Sequence, residues 1–384
     1  MGVGRVPTVH ADPAHSPHGG CPKAMSDLQA AFQEILAAIR PVDRALAPAG
    51  QAHIDNLTKP QGSLGRLEEL ALQMYLAADG GAPAADPARV YTIAGDHGVV
   101  AEGVSRFPQE VTRQMVANFL RGGAGINALA RVAGAELFVV DAGSCGGTYD
   151  EDPHLIQRKV APGTANLAQG PAMTREQCVQ ALLLGVDLAD MARDAGVKTL
   201  CTGDMGIGNT TPSTALYCAY LGVEPESVTG PGTGLDAAGV ASKAQVVARA
   251  LKLHAGVVAS GDALGILSAL GGYEIAALAG LILGGAKNRQ MVCVDGFIST
   301  AAFAAARALC PAVADYCVLS HASAEPGYRL VCEQLGLTPL LHLGMRLGEG
   351  TGAVLALTVL RAAAAMYNDM ASFADAGVTA AGAV

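Results

Sequence analysis

The sequence predicts an α/β fold built on a doubly wound, mostly parallel β-sheet. Short apolar segments rich in β-branched residues alternate along the chain with longer helical stretches, the arrangement that places helices on both faces of a parallel sheet. The apolar segments contain few polar residues, as expected for strands that are covered on both faces. Residues such as Gly, Asp, His and Ser follow directly after each segment, so polar residues should collect at one edge of the sheet.

Five segments are predicted to form the strands: residues 89–94, 136–140, 197–202, 291–294 and 316–319. In an open parallel sheet the ligand crevice lies beyond the carboxyl ends of the strands. The residues that follow these strands are therefore the first place to expect a functional site. This pattern favours an enzyme but leaves its reaction open.

Helices are predicted between the strands and at both chain ends. The clearest cover residues 175–194 and 235–254, which are rich in Ala and contain no proline. A third is expected to have Thr211 as its N-cap and Pro212 as its first residue, and to end at Gly222.

Four regions follow from this pattern: a disordered tail over 1–25, the first part of a small helical domain over 26–80, a Rossmann-like α/β core over 81–345, and a Gly-rich loop with the rest of the small domain over 346–384. Helices predicted over 26–40, 64–79 and 353–370 lie outside the run of strands. We therefore expect both chain ends to pack together as the small domain.

Composition narrows the class of protein. Hydrophobic residues make up 51% of the 384 residues and charged residues 15%, against about 25% charged residues in an average soluble domain. So apolar a chain predicts a large core or a subunit interface, and we expect a homodimer. The net charge of −9, without a Lys/Arg cluster, argues against a nucleic-acid partner.

The cysteines and the apolar runs favour a cytoplasmic protein. Nine irregularly spaced cysteines with no CxxC pair indicate reduced core thiols rather than disulfides or a zinc site. No HxxxH or HExxH motif is present, so we expect no metal site. The longest apolar run, residues 275–286, is too short to span a bilayer, so no membrane partner is expected.

Two Gly-rich segments have the features of phosphate-binding loops. In residues 202–212, Gly206 and Gly208 would let backbone N–H groups approach an anion. Thr210, Thr211 and the following helix N-terminus would favour that anion. An ordinary tight turn is the alternative, since the segment matches neither a Walker nor a GxGxxG motif.

The second segment, residues 228–236, contains Gly232 and Gly234 and also precedes a helix. The same argument applies to it, with a flexible connector as the alternative. Lys243, on the helix that follows, could add a positive charge. A solvated surface lysine is the commoner interpretation of such a residue.

A lone carboxylate, Glu349, lies in the Gly-rich segment 345–352 between apolar stretches. In an apolar pocket the pKa of this carboxyl group would rise, which suits a general base. The alternative is an acid that stabilises the N-terminus of the helix beginning near Ala353. The residues alone leave the two interpretations equally open.

A slot for an aromatic base is expected in the segment after the first strand. Phe107 and Pro108 could form one wall of the slot, and Ser105 and Gln114 could anchor the base.

The preceding Asp96 and His97 form either a catalytic pair or, more commonly, a structural pair at a strand end. Ser320 and His321 would suit a hydrolase, but the chain contains no GxSxG motif.

Four motifs occur in order within residues 57–366: Leu57-Thr58-Lys59-Pro60-Gln61-Gly62-Ser63-Leu64-Gly65, Gly95-Asp96-His97-Gly98, Gly206-Ile207-Gly208-Asn209-Thr210-Thr211 and Arg346-Leu347-Gly348-Glu349-Gly350-Thr351-Gly352. Together they resemble the nicotinate-nucleotide–dimethylbenzimidazole phosphoribosyltransferase family. The resemblance implies a Rossmann-like sheet, a small helical domain built from both chain ends, and a homodimer. It also implies transfer of phosphoribose from nicotinate mononucleotide to 5,6-dimethylbenzimidazole, without a cofactor or a metal.

The resemblance further implies roles for individual residues. Glu349 corresponds to the family's base, and Asp204 stands where the family commonly has Glu. The nucleotide would be held by Gly206, Ile207, Gly208, Asn209, Thr210, Thr211, Gly232, Gly234, Leu347 and Gly348. The benzimidazole would contact Ser105, Phe107, Pro108, Gln114 and Met205.

Two alternatives remain at this point. The same fold could serve another acceptor, such as adenine or a phenol, because a fold does not fix a substrate. A non-catalytic nucleotide sensor is the other, although a sensor has no need of a base at Glu349.

Overall fold

The computed structural model describes residues 25–379, so the predicted tail over 1–25 lies outside the described residues except for Met25. The strands are β1 (Ala88–Gly95), β2 (Glu136–Gly143), β3 (Leu155–Gln157), β4 (Thr199–Met205), β5 (Met291–Val294) and β6 (Cys317–Leu319). The α-helices are α1 (Met25–Ala38), α2 (Ala47–Asp55), α3 (Arg66–Ala77), α4 (Glu110–Leu120), α5 (Gly125–Ala133), α6 (Arg175–Asp194), α7 (Thr210–Leu221), α8 (Pro225–Val228), α9 (Ala237–Leu253), α10 (Ala255–Ser260), α11 (Ala263–Leu270), α12 (Tyr273–Lys287), α13 (Phe297–Leu309), α14 (Tyr328–Leu335) and α15 (Thr351–Asp369). Short 3₁₀ helices cover Arg44–Leu46, Gly98–Glu102 and Pro311–Tyr316.

The six strands form one parallel sheet in the order β3-β2-β1-β4-β5-β6. The predicted parallel α/β fold is therefore confirmed. The strand order reverses direction between β1 and β4, so the connections that leave these two strands diverge. A crevice at such a reversal is the usual place for a ligand in an open α/β sheet.

β1 is one residue longer than predicted at each end, and β2 continues through Gly143. The strand predictions differ from the structure in three further details. β3 is absent from the prediction because it has only three residues, at the edge of the sheet, among polar neighbours. β4 begins at Thr199 and continues through Asp204 and Met205, which the prediction placed in the following loop. β6 begins at Cys317, because Tyr316 still belongs to a 3₁₀ helix.

The prediction for the start of α7 is wrong. This helix begins at Thr210, so Pro212 is its third residue and the N-cap is Asn209 rather than Thr211. Proline is tolerated there because N–H groups in a first helical turn have no partner within the helix. The predicted end at Gly222 is confirmed by a left-handed C-cap with φ of 68°.

Glycines bring two helices on one face of the sheet into backbone contact. α6 packs along α12, and α12 covers β1 and β4. A methyl group at Gly185 of α6 would overlap the carbonyl oxygen of Ala277. A methyl group at Gly280 of α12 would likewise overlap the carbonyl oxygen of Leu182. This close approach explains the long apolar run, because α12 is buried along residues 273–286.

The two chain ends meet beside the sheet. α15 packs against α3, and Leu57 pairs with Ser372 in an isolated antiparallel bridge. Arg361 of α15 also forms an ion pair with Asp86, just before β1. α1 packs instead against α6 and α12. The boundaries of a separate small domain stay a prediction.

Two features of the structure concern the predictions about membrane spans and about the cysteine thiols. No helix between residues 25 and 379 is long and apolar enough to cross a bilayer. The eight cysteines in this range are free thiols, and six of them are buried. Burial raises the pKa of Cys178 and Cys218 to about 12, so both thiols stay protonated and unreactive at neutral pH.

The contact between α6 and α12 is testable by Gly185→Ala. The added methyl group must push the two helices apart, so we expect the free energy of unfolding to fall by about 3 kcal/mol in urea denaturation. Gly256→Ala is the matched control, because Gly256 is also helical but has nothing within 4 Å of an added Cβ. Equal effects of the two substitutions would contradict the close packing.

Candidate active site

A cavity of about 450 Å³ lies beyond the carboxyl ends of β4, β5 and β6, and the segment that follows β1 closes one side. Its walls come from residues 104–115, 204–210, 232–233, 296–298, 321–325 and 346–349. The volume is in the range of small-molecule sites. The cavity therefore joins several of the loops that the sequence singled out.

Asp295, directly after β5, fixes the Gly-rich loop that carries Glu349. Its Oδ2 accepts a hydrogen bond from the N–H of Gly350 at 3.0 Å. Its Oδ1 accepts from Gly352 at 2.9 Å and from Ala353 at 3.0 Å. These N–H groups lie at the start of α15, where the helix itself supplies no acceptor and the helix dipole favours a negative charge. Asp295 is fully buried, so the loop is held from below.

The backbone of Glu349 is tied to the sheet. Its carbonyl oxygen accepts from Thr92 Oγ1 of β1 at 2.7 Å, and its N–H donates to the carbonyl oxygen of Asp204 at 3.2 Å. A Cβ at Gly203 would overlap that Glu349 carbonyl, so a glycine is required there. Glu349 has φ of 63°, a left-handed conformation that residues with side chains seldom adopt. Such strain is typical of functional sites whose surroundings enforce it.

The Glu349 carboxylate lies in the cavity wall and is 5% exposed. Its Oε2 accepts from the N–H of Ile126, at the start of α5, at 3.1 Å. Burial raises the pKa of this carboxyl group despite that hydrogen bond, and nearby Asp295 raises it further. A raised pKa makes the carboxylate a stronger base at neutral pH. Of the two sequence interpretations, the geometry favours the general base, since the carboxylate does not cap α15.

Asp204 is a second acid in the same cavity. Its Oδ2 accepts from Asn209 Nδ2 at 3.0 Å, while its buried Oδ1 has no partner among the described residues. Burial raises the pKa of Asp204 well above its ordinary value, and the nearby carboxylates of Asp295, Glu274 and Glu349 add to the shift. A raised pKa favours the protonated form of this carboxyl group, and protonation would turn it into a hydrogen-bond donor.

Lys243 and the start of α7 form a cradle with the chemistry of an anion site. Lys243 Nζ donates to Thr210 Oγ1 at 2.6 Å and to the Gly230 carbonyl at 3.3 Å. Thr210 and Gly232 line the cavity. Burial lowers the pKa of Lys243 to about 8, and the charge of Glu325 opposes this shift. The interpretation of Lys243 as a solvated surface residue is therefore wrong, because α9 packs against α7 and buries it.

Three loops meet at the mouth of the cavity. Ser105 Oγ and Thr233 Oγ1 are 3.0 Å apart. Arg346 donates to a backbone carbonyl in the same loop as Thr233, at 3.0 Å. Phe107 and Leu347 flank the opening and are 51% and 60% exposed. Two large apolar side chains left open at a mouth suit the faces of a flat aromatic ligand.

Most of the predicted site residues line this cavity: Ser105, Phe107, Asp204, Met205, Gly206, Ile207, Gly208, Asn209, Thr210, Gly232, Leu347, Gly348 and Glu349. Four predicted residues are not among its lining residues. Pro108 and Gln114 are exposed, and Thr211 is fully buried within α7. The carbonyl of Gly234 accepts from Arg106. The roles proposed for these four residues stay predictions.

Helical periodicity explains the place of Gln114. Val111 and Met115, four residues apart on α4, both line the cavity. Residues with this spacing lie on one face of a helix, and Gln114 lies on the exposed face.

The Asp-His and Ser-His pairs are structural in this fold. His97 Nε2 lies 2.6 Å from Glu274 Oε1, and both side chains are fully buried away from the cavity lining. His321 lines the cavity, but its Nδ1 faces both Ser320 Oγ at 3.0 Å and Asp295 Oδ1 at 3.6 Å. A histidine that meets both groups through one nitrogen cannot relay a proton between them as a hydrolase triad does.

Sequence reasoning marks Asp295 only as a strand end and gives Glu325 no role. It considers Lys243 as an added positive charge but favours a surface position for it. The available signal is position, since Asp295 and Glu325 follow strands β5 and β6. Within residues 25–379 no group of three or more His, Cys, Asp or Glu side chains is placed to hold a metal ion.

Known proteins resemble this chain along most of its length. The model of a family described as phosphoribosyltransferase matches residues 39–378. The nicotinate-nucleotide–dimethylbenzimidazole phosphoribosyltransferase of Solidesulfovibrio magneticus is 64% identical over 348 residues, covering 91% of this chain and 98% of the relative. Its namesake from Oleidesulfovibrio alaskensis is 65% identical over 345 residues, covering 90% and 96%. A crystal structure of the enzyme of that name from Thermus thermophilus superposes with a TM-score of 0.82 at 47% identity, covering 88% of this chain and 99% of that one.

The anchoring role of Asp295 is testable by Asp295→Ala. The substitution leaves three buried N–H groups without their acceptor, so we expect the free energy of unfolding to fall by about 3–5 kcal/mol in urea denaturation. Asp262→Ala is the control, since Asp262 also accepts a helix N–H but its side chain is 38% exposed. Loss of that exposed cap should cost about 1 kcal/mol. A loss for Asp295→Ala no larger than the control's would show that the loop holds without the carboxylate.

Proposed function

This chain belongs to the nicotinate-nucleotide–dimethylbenzimidazole phosphoribosyltransferase family of cobalamin biosynthesis, and we propose that its cavity transfers phosphoribose from nicotinate mononucleotide to 5,6-dimethylbenzimidazole. The products are α-ribazole 5′-phosphate and nicotinate. The observation that carries this proposal is the buried Glu349 carboxylate, which lines one cavity with Thr210, the residue that Lys243 contacts.

The 5′-phosphate is proposed to occupy the cradle. Lys243 supplies the positive charge, and Thr210, at the first position of α7, supplies a hydroxyl and the positive end of the helix dipole. Gly232 leaves space beside Lys243 in the cradle, since a Cβ at this position would come within 3.2 Å of Lys243 Nζ. Bulkier residues at that position would occupy the space of a phosphate oxygen.

The benzimidazole is proposed to bind between the apolar wall and Glu349. Val104, Met115 and Met205 line the wall, and Phe107 stands at the mouth. Flat apolar contact positions the ring without fixing its identity. The position of the Glu349 carboxylate then decides which ring edge faces it, because Glu349 accepts the proton of the N–H group.

The reaction needs one proton acceptor. The lone-pair nitrogen of the benzimidazole attacks C1′, and the bond from C1′ to the nicotinate nitrogen breaks with its electron pair returning to the pyridine ring. The leaving nitrogen begins as a cation, so it needs no proton. The attacking azole becomes cationic, and Glu349 takes its N–H proton. Attack from the side opposite the leaving group converts the β-nucleotide into an α-riboside.

Positioning supplies much of the rest of the rate. Holding a phosphate and two flat rings around one carbon atom can lower a barrier by roughly 7–11 kcal/mol. The anchored loop supports such positioning, since the Glu349 backbone is hydrogen-bonded to Thr92 of β1 and to Asp204 of β4. A protonated Asp204 would donate to the substrate rather than repel it.

The oligomeric state and the compartment are part of the proposal. A homodimer is supported by the low charged fraction of 15% and by exposed apolar side chains such as Val132 and Val378. The buried free thiols fit the reducing cytoplasm. Both partners in the reaction are small molecules.

Glu349→Gln tests the base. The amide keeps the shape but cannot accept the azole proton, so we expect kcat to fall by about 10²- to 10⁴-fold with little change in KM for nicotinate mononucleotide. The wild-type product should be the α anomer, identified by NMR after mass analysis. Glu333→Gln, an exposed substitution on α14, is the control and should leave kcat unchanged. Full activity of Glu349→Gln in a folded protein would rule out this base.

The pH dependence tests the cradle. Lys243 has a pKa of about 8 and binds phosphate only when protonated. The value of kcat/KM for nicotinate mononucleotide should therefore decline about tenfold per unit above that pH, because this ratio reports the free enzyme. Lys243→Met should raise KM at pH 7 by about 10- to 100-fold and abolish the decline.

Lys252→Met, an exposed change on the same helix α9, is the matched control and should keep the wild-type profile. Nicotinate riboside, which lacks the phosphate, should show no decline in either protein. A decline that persists in Lys243→Met would assign it to another group.

A further inference from the structure

Glu325 is a buried carboxylate that the proposed mechanism does not use. It lies between β6 and α14, it is 6% exposed, and it lines the active cavity. Its Oε2 is buried and makes no hydrogen bond to any residue between 25 and 379. Burying a carboxylate oxygen without a donor is costly, and native proteins rarely leave such atoms unpaired. A ligand that brings hydrogen-bond donors would remove that cost.

The position of Glu325 places it beside the phosphate cradle. A Cβ at Gly230 would overlap Glu325 Oε2, so the carboxylate lies directly against that backbone. The carbonyl of Gly230 accepts a hydrogen bond from Lys243 of α9. Glu325 and Glu349 line the same cavity, so a nucleotide whose phosphate is bound at the cradle occupies the space that both carboxylates line.

The chemistry of the substrate identifies the hydrogen-bond donors that would meet Glu325. Nicotinate mononucleotide at neutral pH carries a phosphate and a carboxylate, which accept hydrogen bonds, and a pyridinium ring without an N–H. Its only strong donors are the 2′- and 3′-hydroxyl groups of the ribose. The N–H of the acceptor base is assigned to Glu349. An ionised carboxylate only accepts, so the ribose hydroxyls are the matching partners.

We infer that Glu325 binds the ribose 2′,3′-diol of the nucleotide and makes the site selective for a ribonucleotide. This inference rests on the proposed function for the identity of the nucleotide. Hydrogen bonds from hydroxyls to a carboxylate are stronger than neutral ones and would orient the sugar. The orientation presents C1′ to the attacking base, while Lys243 holds the other end of the nucleotide.

A different role for Glu325 would be purely electrostatic. Its charge raises the pKa of Lys243, so Glu325 could act only as a counterion for that lysine. The two roles predict different effects on the affinities of ligands. A counterion affects every phosphorylated ligand alike, whereas a ribose ligand distinguishes ribose from deoxyribose.

The test compares three ligands on four proteins. The ligands are nicotinate mononucleotide and its 2′-deoxy and 3′-deoxy analogues, and their dissociation constants are measured by calorimetry at pH 7. The proteins are the wild type, Glu325→Ala, Glu325→Gln and the control Glu226→Gln, an exposed carboxylate on α8. Turnover of the ribonucleotide with 5,6-dimethylbenzimidazole is measured in parallel. The two Glu325 variants keep the test open if one of them fails to fold.

The wild type and Glu226→Gln should bind at least one deoxy analogue about 10- to 100-fold more weakly than the ribonucleotide. In Glu325→Ala this ratio should fall to about threefold or less, with Glu325→Gln in between because its amide oxygen still accepts. The ratio of the affinities is the decisive quantity, since a general weakening cancels in it.

Equal weakening of all three ligands in Glu325→Ala, with the wild-type ratio kept, would overturn the inference and indicate the counterion role. Equal binding of all three ligands by the wild type would also overturn it. Wild-type discrimination without any turnover would instead contradict the proposed function and leave the ribose contact standing. The two failures are therefore distinguishable.

Discussion

The carboxylate of Asp295 is the contact on which the arrangement of the cavity depends. It sits at the end of β5 and accepts the N–H groups of Gly350, Gly352 and Ala353. One side chain thereby joins the sheet, the Gly-rich loop and the start of α15. Because these hydrogen bonds hold the loop, Glu349 keeps a left-handed backbone conformation that is unfavourable for a residue with a side chain.

The same arrangement concentrates acids where water is scarce. Asp204, Asp295 and Glu349 share one buried region, and burial raises the pKa of each. Mutual repulsion would be destabilising in an isolated cluster. Here each carboxyl group accepts a hydrogen bond that stabilises it. Asp295 accepts from backbone N–H groups and Glu349 from the first turn of α5. Asp204 accepts from the side-chain amide of Asn209.

The sequence predicted the segments that form the cavity better than it predicted which charged and polar side chains reach that cavity. The family resemblance implied that residues near Gly206 and Glu349 belong to one site, and they line one cavity. The sequence could not place Lys243, because nothing in an Ala-rich helix marks which face another helix will cover. Gln114 shows the converse, since it lies near the site in the chain but on the solvent side of α4.

The sequence by itself determined the parallel α/β class, five of the six strands, six of the fifteen α-helices in the described residues, and the Gly-rich loops near the cavity. These follow from local properties: β-branched runs, helical stretches and glycines at strand ends. The tertiary structure alone decided which carboxylates are buried, that Lys243 is hydrogen-bonded to Thr210, and that Glu325 Oε2 has no hydrogen-bond partner among the described residues. Burial and hydrogen bonding depend on contacts between residues far apart in the chain, and no local pattern encodes those contacts.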